Sequence, residues 1–372
     1  MADNDRNNKL EVLQQIRDNP FISQQELANR LNISRSAVAA HIATLTKEGE
    51  ITGRAYVLPE RRRILCIGGA NVDRKIQSYE PLQFGTSNPS AIMESHGGVA
   101  RNIAENLARL GISPTLVTII GEDKEGAMLV DEMLGLGADV SQVIRSASKR
   151  TGTYTAILDH DGSMAVACAD MAIYDELTVD RLAPKVKMLA QSTLSIVDTN
   201  LPAESLEYIL TQSAQVNANL IVAPVSSPKA RRLPTDLTGI KTLIANLDEI
   251  AAISGVPTDT LESLERACVA LQARGCEAVV VTMGKQGVAW RDELGQFEQT
   301  PAFPVQVVDV TGAGDAFVAG FAYATYHDLP IRQACILASR LASLTLTTNA
   351  TVSSRIDPGM ARDWLLTIQN QE

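Results

Sequence analysis

The chain has 372 residues, 45% of them hydrophobic and 20% charged, which is the composition of a globular protein larger than the usual single domain. Its five cysteines form no C-x-x-C pair, so the sequence predicts neither a zinc site nor a disulfide framework. The polar N-terminus and the lack of any 18-residue apolar run predict a cytoplasmic protein without membrane contact.

The formal net charge of −10 is distributed unevenly along the chain. Residues 1–63 carry ten Lys and Arg against eight Asp and Glu, which leaves 23 against 35 for the remainder. An acidic body can bind an anionic ligand only where positive potential is concentrated locally. The mildly basic N-terminal part is compatible with nucleic acid binding.

The first 60 residues predict three helices followed by a hairpin. Apolar spacing indicates a helix over Leu10–Arg17, and the capping box Ser23-Gln-Gln-Glu26 opens a second. A third helix is predicted over Ser34–Leu45, and residues 48–58 are typical of a short β wing.

This order of elements resembles the winged helix-turn-helix of bacterial regulators, which implies binding of duplex DNA. On that resemblance the candidates for groove or phosphate contact are Ser34, Arg35, Ser36 and His41. A helical docking or oligomerisation module is the alternative. Pro59 and the arginines after it indicate a boundary between a domain over residues 1–60 and a second over 61–372.

From residue 64 onward, short β-branched runs alternate with helical segments. Their near-continuous apolar character predicts strands buried on both faces, hence an α/β fold with a doubly wound, mostly parallel sheet. The predicted strands are Ile64–Gly68, Thr115–Gly121, Leu194–Asp198, Leu220–Val225, Thr242–Asn246 and Ala278–Gly284. A hairpin of a different kind is predicted over Thr153–Asp159 and Met164–Cys168.

Ligands of such sheets bind beyond the carboxyl ends of the strands. The polar residues and glycines predicted there are Asn71, Asp73, Asn200, Ser226, Asn246, Glu249, Thr282, Gly284 and Asp315.

The stretch from Asp309 to Gly320 is the most informative part of the sequence. Gly312 and Gly314 let backbone N–H groups approach a ligand, and the following helix directs its positive end the same way. Asp315 adds a carboxylate, which suits acceptance of a proton from a hydroxyl that attacks phosphorus. An ordinary glycine-rich turn with a capping aspartate is the alternative.

Residues 309–320, together with Gly97-Gly98-Val-Ala-Arg-Asn102-Ile-Ala104, resemble the two signatures of the PfkB/ribokinase family of carbohydrate and nucleoside kinases. The resemblance covers residues 63–360. It implies a ribokinase-like fold with a small β lid, formed by about residues 74–95 and 151–170, and ATP-dependent transfer to an alcohol. The sequence has no P-loop and no protein-kinase motifs, so it does not support those mechanisms.

The resemblance also implies roles for individual residues. Catalysis is expected of Asp315 as general base, with Gly312, Ala313 and Gly314 as the anion hole. Substrate binding is expected of Asn71, Asp73, Ser87, Asn88, Gly97, Gly98, Asn102 and Lys229. ATP binding is expected of Asn246, Thr282, Gly284, Gly287 and Thr311. Glu249 would hold Mg²⁺ through water.

Asp309 resembles part of a monovalent-cation loop, whereas residues 345–353 depart from the ribokinase pattern. Dependence on K⁺ therefore stays open.

Three segments resemble pseudouridine kinases more than ribokinases or fructokinases: residues 85–90, residues 97–102 and Ala223-Pro-Val-Ser-Ser-Pro-Lys229. This implies phosphorylation of the 5′-hydroxyl of a nucleoside, pseudouridine, to pseudouridine 5′-phosphate, by a protein expected to be a homodimer. A sugar kinase of the ribokinase or fructokinase type is one alternative. A nucleoside-sensing transcriptional regulator is the other.

Overall fold

The computed structural model describes residues 2–18, 22–48, 50 and 62–369, and gives only the backbone of residues 2–7, 17, 18 and 369. The chain separates into two compact units, residues 1–61 and 62–372. Within the described residues, no helix is both long enough and apolar enough to span a lipid bilayer.

The described residues of the N-terminal unit form three helices. They are α1 (Ala2–Asp18), α2 (Gln24–Leu31) and α3 (Arg35–Lys47). The first begins well before the predicted Leu10, and the other two agree with the prediction. The predicted wing lies outside the described residues except for Glu48 and Glu50.

Serine caps determine where α2 and α3 begin. The Ser23 hydroxyl accepts the Glu26 amide at 3.1 Å, and the Ser34 hydroxyl accepts the Ala37 amide at 3.1 Å. The apolar faces of the helices then form a small core that includes Val12, Leu27, Val38 and Leu45.

The second unit alternates strands and helices. Its strands are β1 (Ile64–Ile67), β2 (Asn71–Ser78), β3 (Ser90–Gly97), β4 (Thr115–Val117), β5 (Ile119–Gly121), β6 (Ile144–Ser146), β7 (Gly152–Leu158), β8 (Met164–Asp170), β9 (Leu194–Asp198), β10 (Leu220–Ala223), β11 (Thr242–Asn246), β12 (Ala278–Thr282), β13 (Val288–Arg291) and β14 (Phe297–Thr300). Its α-helices are α4 (Val99–Arg109), α5 (Lys124–Gly135), α6 (Val179–Val186), α7 (Ala203–Val216), α8 (Ser227–Ala230), α9 (Leu247–Ser254), α10 (Leu261–Gln272), α11 (Ala313–Tyr326), α12 (Ile331–Thr345) and α13 (Pro358–Gln369). Short 3₁₀ turns occupy Ala172–Glu176, Lys187–Gln191 and Gly284–Gln286.

An eight-stranded sheet forms the centre of this unit, in the order β14-β13-β12-β11-β10-β9-β1-β4. The strands from β4 to β12 pair in parallel, and β13 and β14 are antiparallel. Alternate residues of β1 enter two apolar clusters: Ile64 and Cys66 join one, and Leu65 and Ile67 join the other. Burial on both faces explains the continuous apolar runs, and the predicted ribokinase-like α/β fold is confirmed.

One predicted strand is wrong in its extent. Residues 115–121 form two short strands, because β4 pairs with β1 in the large sheet whereas β5 pairs with β6 in a separate two-stranded sheet. The chain leaves the large sheet at Thr118, and partners distant in sequence decide where this happens.

A second sheet, which we call the lid, has the strand order β3-β2-β7-β8. The predicted hairpin supplies β7 and β8, and β2 and β3 pair from Asn71 opposite Gly97 to Ser78 opposite Ser90. Asn71 and Gly97 adjoin the loop after β1 and the start of α4. The lid therefore meets the large sheet at the carboxyl end of β1, where the resemblance placed the substrate.

Candidate active site

Helix α11 begins with the predicted glycine turn. Gly312 has a φ of 79°, and a Cβ on it would lie 1.9 Å from the Thr351 carbonyl oxygen, so only glycine fits here. A Cβ on Gly314 would meet no atom within 4 Å, which leaves that side of the turn open. The first amides of a helix lack intrahelical acceptors, so the turn offers N–H donors to an anion.

Asp315 lies in the first turn of α11 and is partly buried. Desolvation raises the pKa of its carboxyl to about 7, and the negative charges of Asp198 and Asp73 add to this rise. The Asn102 amide, which donates to Asp315 Oδ2 at 2.6 Å, and the positive charge of Arg101 oppose it. A carboxyl that ionises near neutral pH is suited to accept a proton from an alcohol at that pH.

Arg101 fixes the orientation of the side-chain amide of Asn102. Its guanidinium is 1% exposed, forms an ion pair with Glu105 at 2.6 Å and donates to the Gly97 carbonyl at 3.1 Å. It also donates to Asn102 Oδ1. Because the oxygen of the amide accepts from Arg101, its nitrogen is directed at Asp315.

The root of the lid brings together four of the predicted substrate residues. Asn71 Nδ2 donates to Asp73 Oδ1 at 2.6 Å, and burial raises the pKa of Asp73. A Cβ on Gly97 would lie 2.2 Å from Asp73 Oδ2, and one on Gly98 would lie 2.4 Å from the Gly69 carbonyl oxygen. The glycine pair thus permits close approach of α4 to the lid root, next to polar groups suited to a diol.

Lys229 adjoins the same region through Asn200, whose side chain lies beside Gly69. It lies in α8, after β10, and its ammonium donates to Asn200 Oδ1. Desolvation lowers the pKa of Lys229, although the negative charge of Asp198 opposes this.

Asp198 is absent from the predicted site residues. The only sequence signal for it was its position at the carboxyl end of a buried strand.

Two adjoining cavities lie beside Asp315 and Gly314. The smaller, about 180 Å³, is lined by Asp315 and Glu249 among others, and the larger, about 350 Å³, includes Phe303, Phe317 and Leu346. The residues common to both are Asn246, Thr282 and Gly314. Gly284 and Gly287 line the larger cavity. The smaller cavity has largely apolar walls with a few polar groups, including Asp315, Asn246 and Glu249, and it adjoins the larger cavity. This pair suits a nucleotide, with phosphates beside Asp315 and the base in the larger space.

Asn246 and Glu249 form a capping box at the start of α9. The Glu249 amide donates to Asn246 Oδ1 at 2.9 Å, and the Asn246 amide donates to Glu249 Oε2 at 3.0 Å. Glu249 is 6% exposed, and burial raises the pKa of its carboxyl. Among the described residues no group of three His, Cys, Asp or Glu side chains could hold a metal ion. A Mg²⁺ ion here would therefore depend on phosphate oxygens and water as well as Glu249.

Four predicted residues are not brought into this site. Thr311 donates through its amide and hydroxyl to Asp309 Oδ1 at 2.9 and 2.7 Å and lines neither cavity. Asp309 also accepts from Lys75 at 3.3 Å, so both of its oxygens are engaged. Ser87 and Asn88 lie in the loop between β2 and β3, at the end of this strand pair away from Asn71 and Gly97, and Asn88 accepts the Gln83 amide of that loop.

The predicted DNA contacts differ in their accessibility. Ser34, Arg35 and Ser36 are exposed at the start of α3, and the two serine hydroxyls lie 2.9 Å apart. His41 is only 7% exposed and packs inside the N-terminal unit. Its prediction as a DNA contact is corrected accordingly, because a buried ring is not presented to a groove.

Comparison with known proteins agrees with this geometry. The sequence model of the pfkB family carbohydrate kinases matches residues 61–357, and that of the winged helix-turn-helix DNA-binding family matches residues 5–52. The Escherichia coli K12 "Uncharacterized sugar kinase YeiI" is 32% identical over 91% of this chain and 93% of its own length. The E. coli K12 "Pseudouridine kinase" is 32% identical over 77% of this chain and 91% of its own. A solved carbohydrate kinase from Agrobacterium tumefaciens superposes with a TM-score of 0.72 at 29% identity and covers 82% of this chain and 97% of that one.

Proposed function

The chain belongs to the pfkB family of carbohydrate kinases and is an ATP-dependent phosphotransferase, and from that premise we propose that its acceptor is the 5′-hydroxyl of pseudouridine. One observation carries the reaction type. Asp315 accepts a hydrogen bond from Asn102 of α4, four residues after Gly98 at the lid root, and it also lines the smaller cavity together with Gly314. The acceptor and the nucleotide can therefore both reach this carboxylate.

The transfer follows from this arrangement. The Asp315 carboxylate takes the proton of the acceptor hydroxyl as its oxygen forms a bond to the γ-phosphorus. The bond from that phosphorus to the β–γ bridging oxygen breaks, and ADP leaves. Backbone N–H groups of the Gly312–Gly314 turn would stabilise the charge on the equatorial oxygens. Glu249 would hold Mg²⁺ through water, and the ion would neutralise charge on the phosphates when bound.

A nucleoside acceptor is supported by the region around Lys229. This side chain and Asn200, together with Asn71 and Asp73, supply both hydrogen-bond donors and acceptors to the proposed acceptor site. The name of one E. coli relative, "Pseudouridine kinase", specifies pseudouridine as the acceptor of that protein. The other E. coli relative is described as a sugar kinase, so a free pentose or hexose is the alternative acceptor.

A comparison of kcat/KM across five acceptors decides between them. With pseudouridine, uridine, inosine, ribose and fructose at saturating ATP, we expect pseudouridine to be preferred by at least about tenfold, which corresponds to about 1.4 kcal/mol of transition-state stabilisation. A tenfold preference for a free hexose would reject the nucleoside assignment.

We also propose that the N-terminal unit binds duplex DNA. The match of residues 5–52 to a DNA-binding family and the exposed Arg35 at the start of α3 support this. In a helix-turn-helix pair such as α2 and α3, the second helix enters the major groove with its N-terminal residues. Titration of labelled DNA from the gene's own upstream region, with and without pseudouridine, tests it. Equal affinity for unrelated DNA would contradict a regulatory role.

The expected homodimer is likewise a proposal, supported by a row of aliphatic side chains on one face of the lid. Directly paired residues point to the same face, and one cross-strand row carries an aliphatic side chain on each strand. The row is Ile92, Ile76, Ile157 and Val166, of which Ile92 is 64% and Val166 46% exposed. Burial against a second copy would remove this apolar surface from water. Sedimentation should then show a dimer that Ile92→Glu converts to a monomer, whereas a monomeric wild-type protein would exclude it.

A further inference from the structure

Asp198 is a buried carboxylate held by three backbone amides. It ends β9 and has no exposed surface. Its Oδ2 accepts the amides of Gly69 at 2.8 Å and Ala100 at 3.0 Å, and its Oδ1 accepts the Asn200 amide at 2.8 Å. In the described part of the chain no cation forms an ion pair with it. Burial raises the pKa of Asp198, and the hydrogen bonds from these three amides oppose that rise because they favour the charged form.

Each of the three amides belongs to a segment that carries a site residue. Gly69 lies in the loop that leads to Asn71 and Asp73 at the lid root. Ala100 is in the first turn of α4, two residues before Asn102. Asn200 accepts the hydrogen bond from Lys229. No other described side chain accepts amides from all three segments.

The fit around this carboxylate is tight. A Cβ on Gly68 would lie 2.2 Å from Asp198 Cγ, so the loop after β1 runs directly over the carboxylate. Gly68 has a φ of 152°. The carboxylate and the loop therefore fix each other's position, and a small change in either must displace the lid root.

We propose that Asp198 is a positioning residue, whose carboxylate clamps the loop after β1, the start of α4 and the loop after β9 in the arrangement that presents Asp73, Asn102 and Lys229 to the acceptor. This inference rests on the proposed function, since the acceptor site is the one assigned above. Asp198 acts through its neighbours and does not touch the reacting atoms.

The same carboxylate acts on Asp315 through space. The charges of Asp198 and Asp73 raise the pKa of Asp315, and the charge of Arg101 lowers it. Glu249 is a further carboxyl that lines the same cavity as Asp315. Neutralising Asp198 removes one raising influence, so the pKa of Asp315 falls. The acid limb of the kcat/KM profile, where the base becomes protonated, should then move to lower pH.

Two variants separate the clamp from the charge. Asp198→Asn keeps the size of the side chain but removes its negative charge. It also places an amide NH₂ group, which cannot accept a hydrogen bond, against the backbone N–H donors. Gly68→Ala keeps the charge and pushes the carboxylate away. We expect both to raise the acceptor KM by about tenfold or more with little change in the ATP KM, because hydrogen bonds to a charged group are lost on the acceptor side alone. Only Asp198→Asn should move the acid limb, and it should move it to lower pH.

Asp139→Asn is the matched control. Asp139 accepts the Ser141 amide at 3.0 Å and the Thr115 hydroxyl at 3.2 Å. These contacts lie at the amino end of β4, whereas the site lies beyond the carboxyl ends of the strands. Its loss should lower thermal stability but leave both KM values and the acid limb unchanged.

If Asp198→Asn and Gly68→Ala both keep the wild-type KM for the acceptor, the proposed clamping role of Asp198 is refuted. If Asp198→Asn does not fold, the Gly68→Ala enzyme alone decides, by the ratio of its acceptor to its ATP KM. An Asp315→Asn enzyme with normal turnover would refute the proposed base, whatever Asp198 does. An inactive Asp315→Asn enzyme together with wild-type behaviour of Asp198→Asn and Gly68→Ala would refute the clamp alone.

Discussion

Replacing Asn102 by leucine should raise the pKa of the proposed base. The Asn102 amide donates to Asp315 Oδ2 at 2.6 Å, and this hydrogen bond is the largest influence that lowers the pKa of Asp315 from its desolvated value. Leucine fills a similar volume and keeps water out, but it donates no hydrogen bond. The ionised form of Asp315 then loses its donor, whereas the protonated form loses little.

The size of the effect follows from the hydrogen bond. A hydrogen bond to a charged group contributes about 1.5–3 kcal/mol, and about 1.4 kcal/mol corresponds to one pH unit, so the pKa should rise by about one to two units from its value of about 7. At pH 7 the ionised fraction falls from about one half to between about one tenth and one hundredth. The rate at that pH should fall by roughly fivefold to fiftyfold from ionisation alone.

The assay is kcat/KM for the acceptor at saturating ATP between pH 5.5 and 9.5. In Asn102→Leu we expect the acid limb to move to higher pH, so that the deficit relative to wild type shrinks as the pH rises. Loss of substrate contact would instead lower the rate by the same factor at every pH. An acid limb that stays in place or moves to lower pH would refute the role assigned to this hydrogen bond.

Three further predictions concern the anion turn and the N-terminal unit. Gly312→Ala forces a left-handed backbone on alanine, at about 1–2 kcal/mol, and drives its Cβ into the Thr351 carbonyl. We therefore expect Gly312→Ala to lower the Tm by several degrees and kcat by at least about tenfold. Gly314→Ala, whose Cβ has open space around it, should keep the wild-type Tm. Equal Tm values for the two variants would contradict this. Deletion of residues 1–60 should leave kcat/KM within about twofold, because every proposed phosphoryl-transfer residue lies after Ile64; a large loss would show that the N-terminal unit contributes to the site. Arg35→Ala should weaken DNA binding and reduce the slope of log K against log salt by about one, and an unchanged slope would place Arg35 away from phosphate.

Local patterns in the sequence were sufficient for much of the fold. Strands such as Leu194–Asp198 and Thr242–Asn246 were predicted to the residue, because burial on both faces imposes continuous β-branched runs. The division of residues 115–121 into two strands was not predictable, since it depends on β4 and β5 having partners in different sheets. Apolar character alone does not reveal which partner a strand will find.

The site shows the same division between local and distant information. The glycine turn before Asp315 was recognised from its local pattern, and Asn246-x-x-Glu249 was recognised but now also proves to be a helix cap. The Asp198 clamp joins segments about 100 residues apart in sequence, so no local spacing indicates it. His41 was misjudged because its burial depends on how three helices pack.

Turnover of Asp315→Asn with pseudouridine, measured as single-turnover transfer of the γ-phosphoryl group of ATP, tests the central claim most directly. Asparagine keeps the size of the side chain and cannot accept the proton. We predict that binding of ATP and pseudouridine stays within a few-fold of wild type while the transfer rate falls by about 10²–10⁴ or more. Near-wild-type transfer by Asp315→Asn would contradict the account, because the proton of the acceptor would then be removed without this carboxylate.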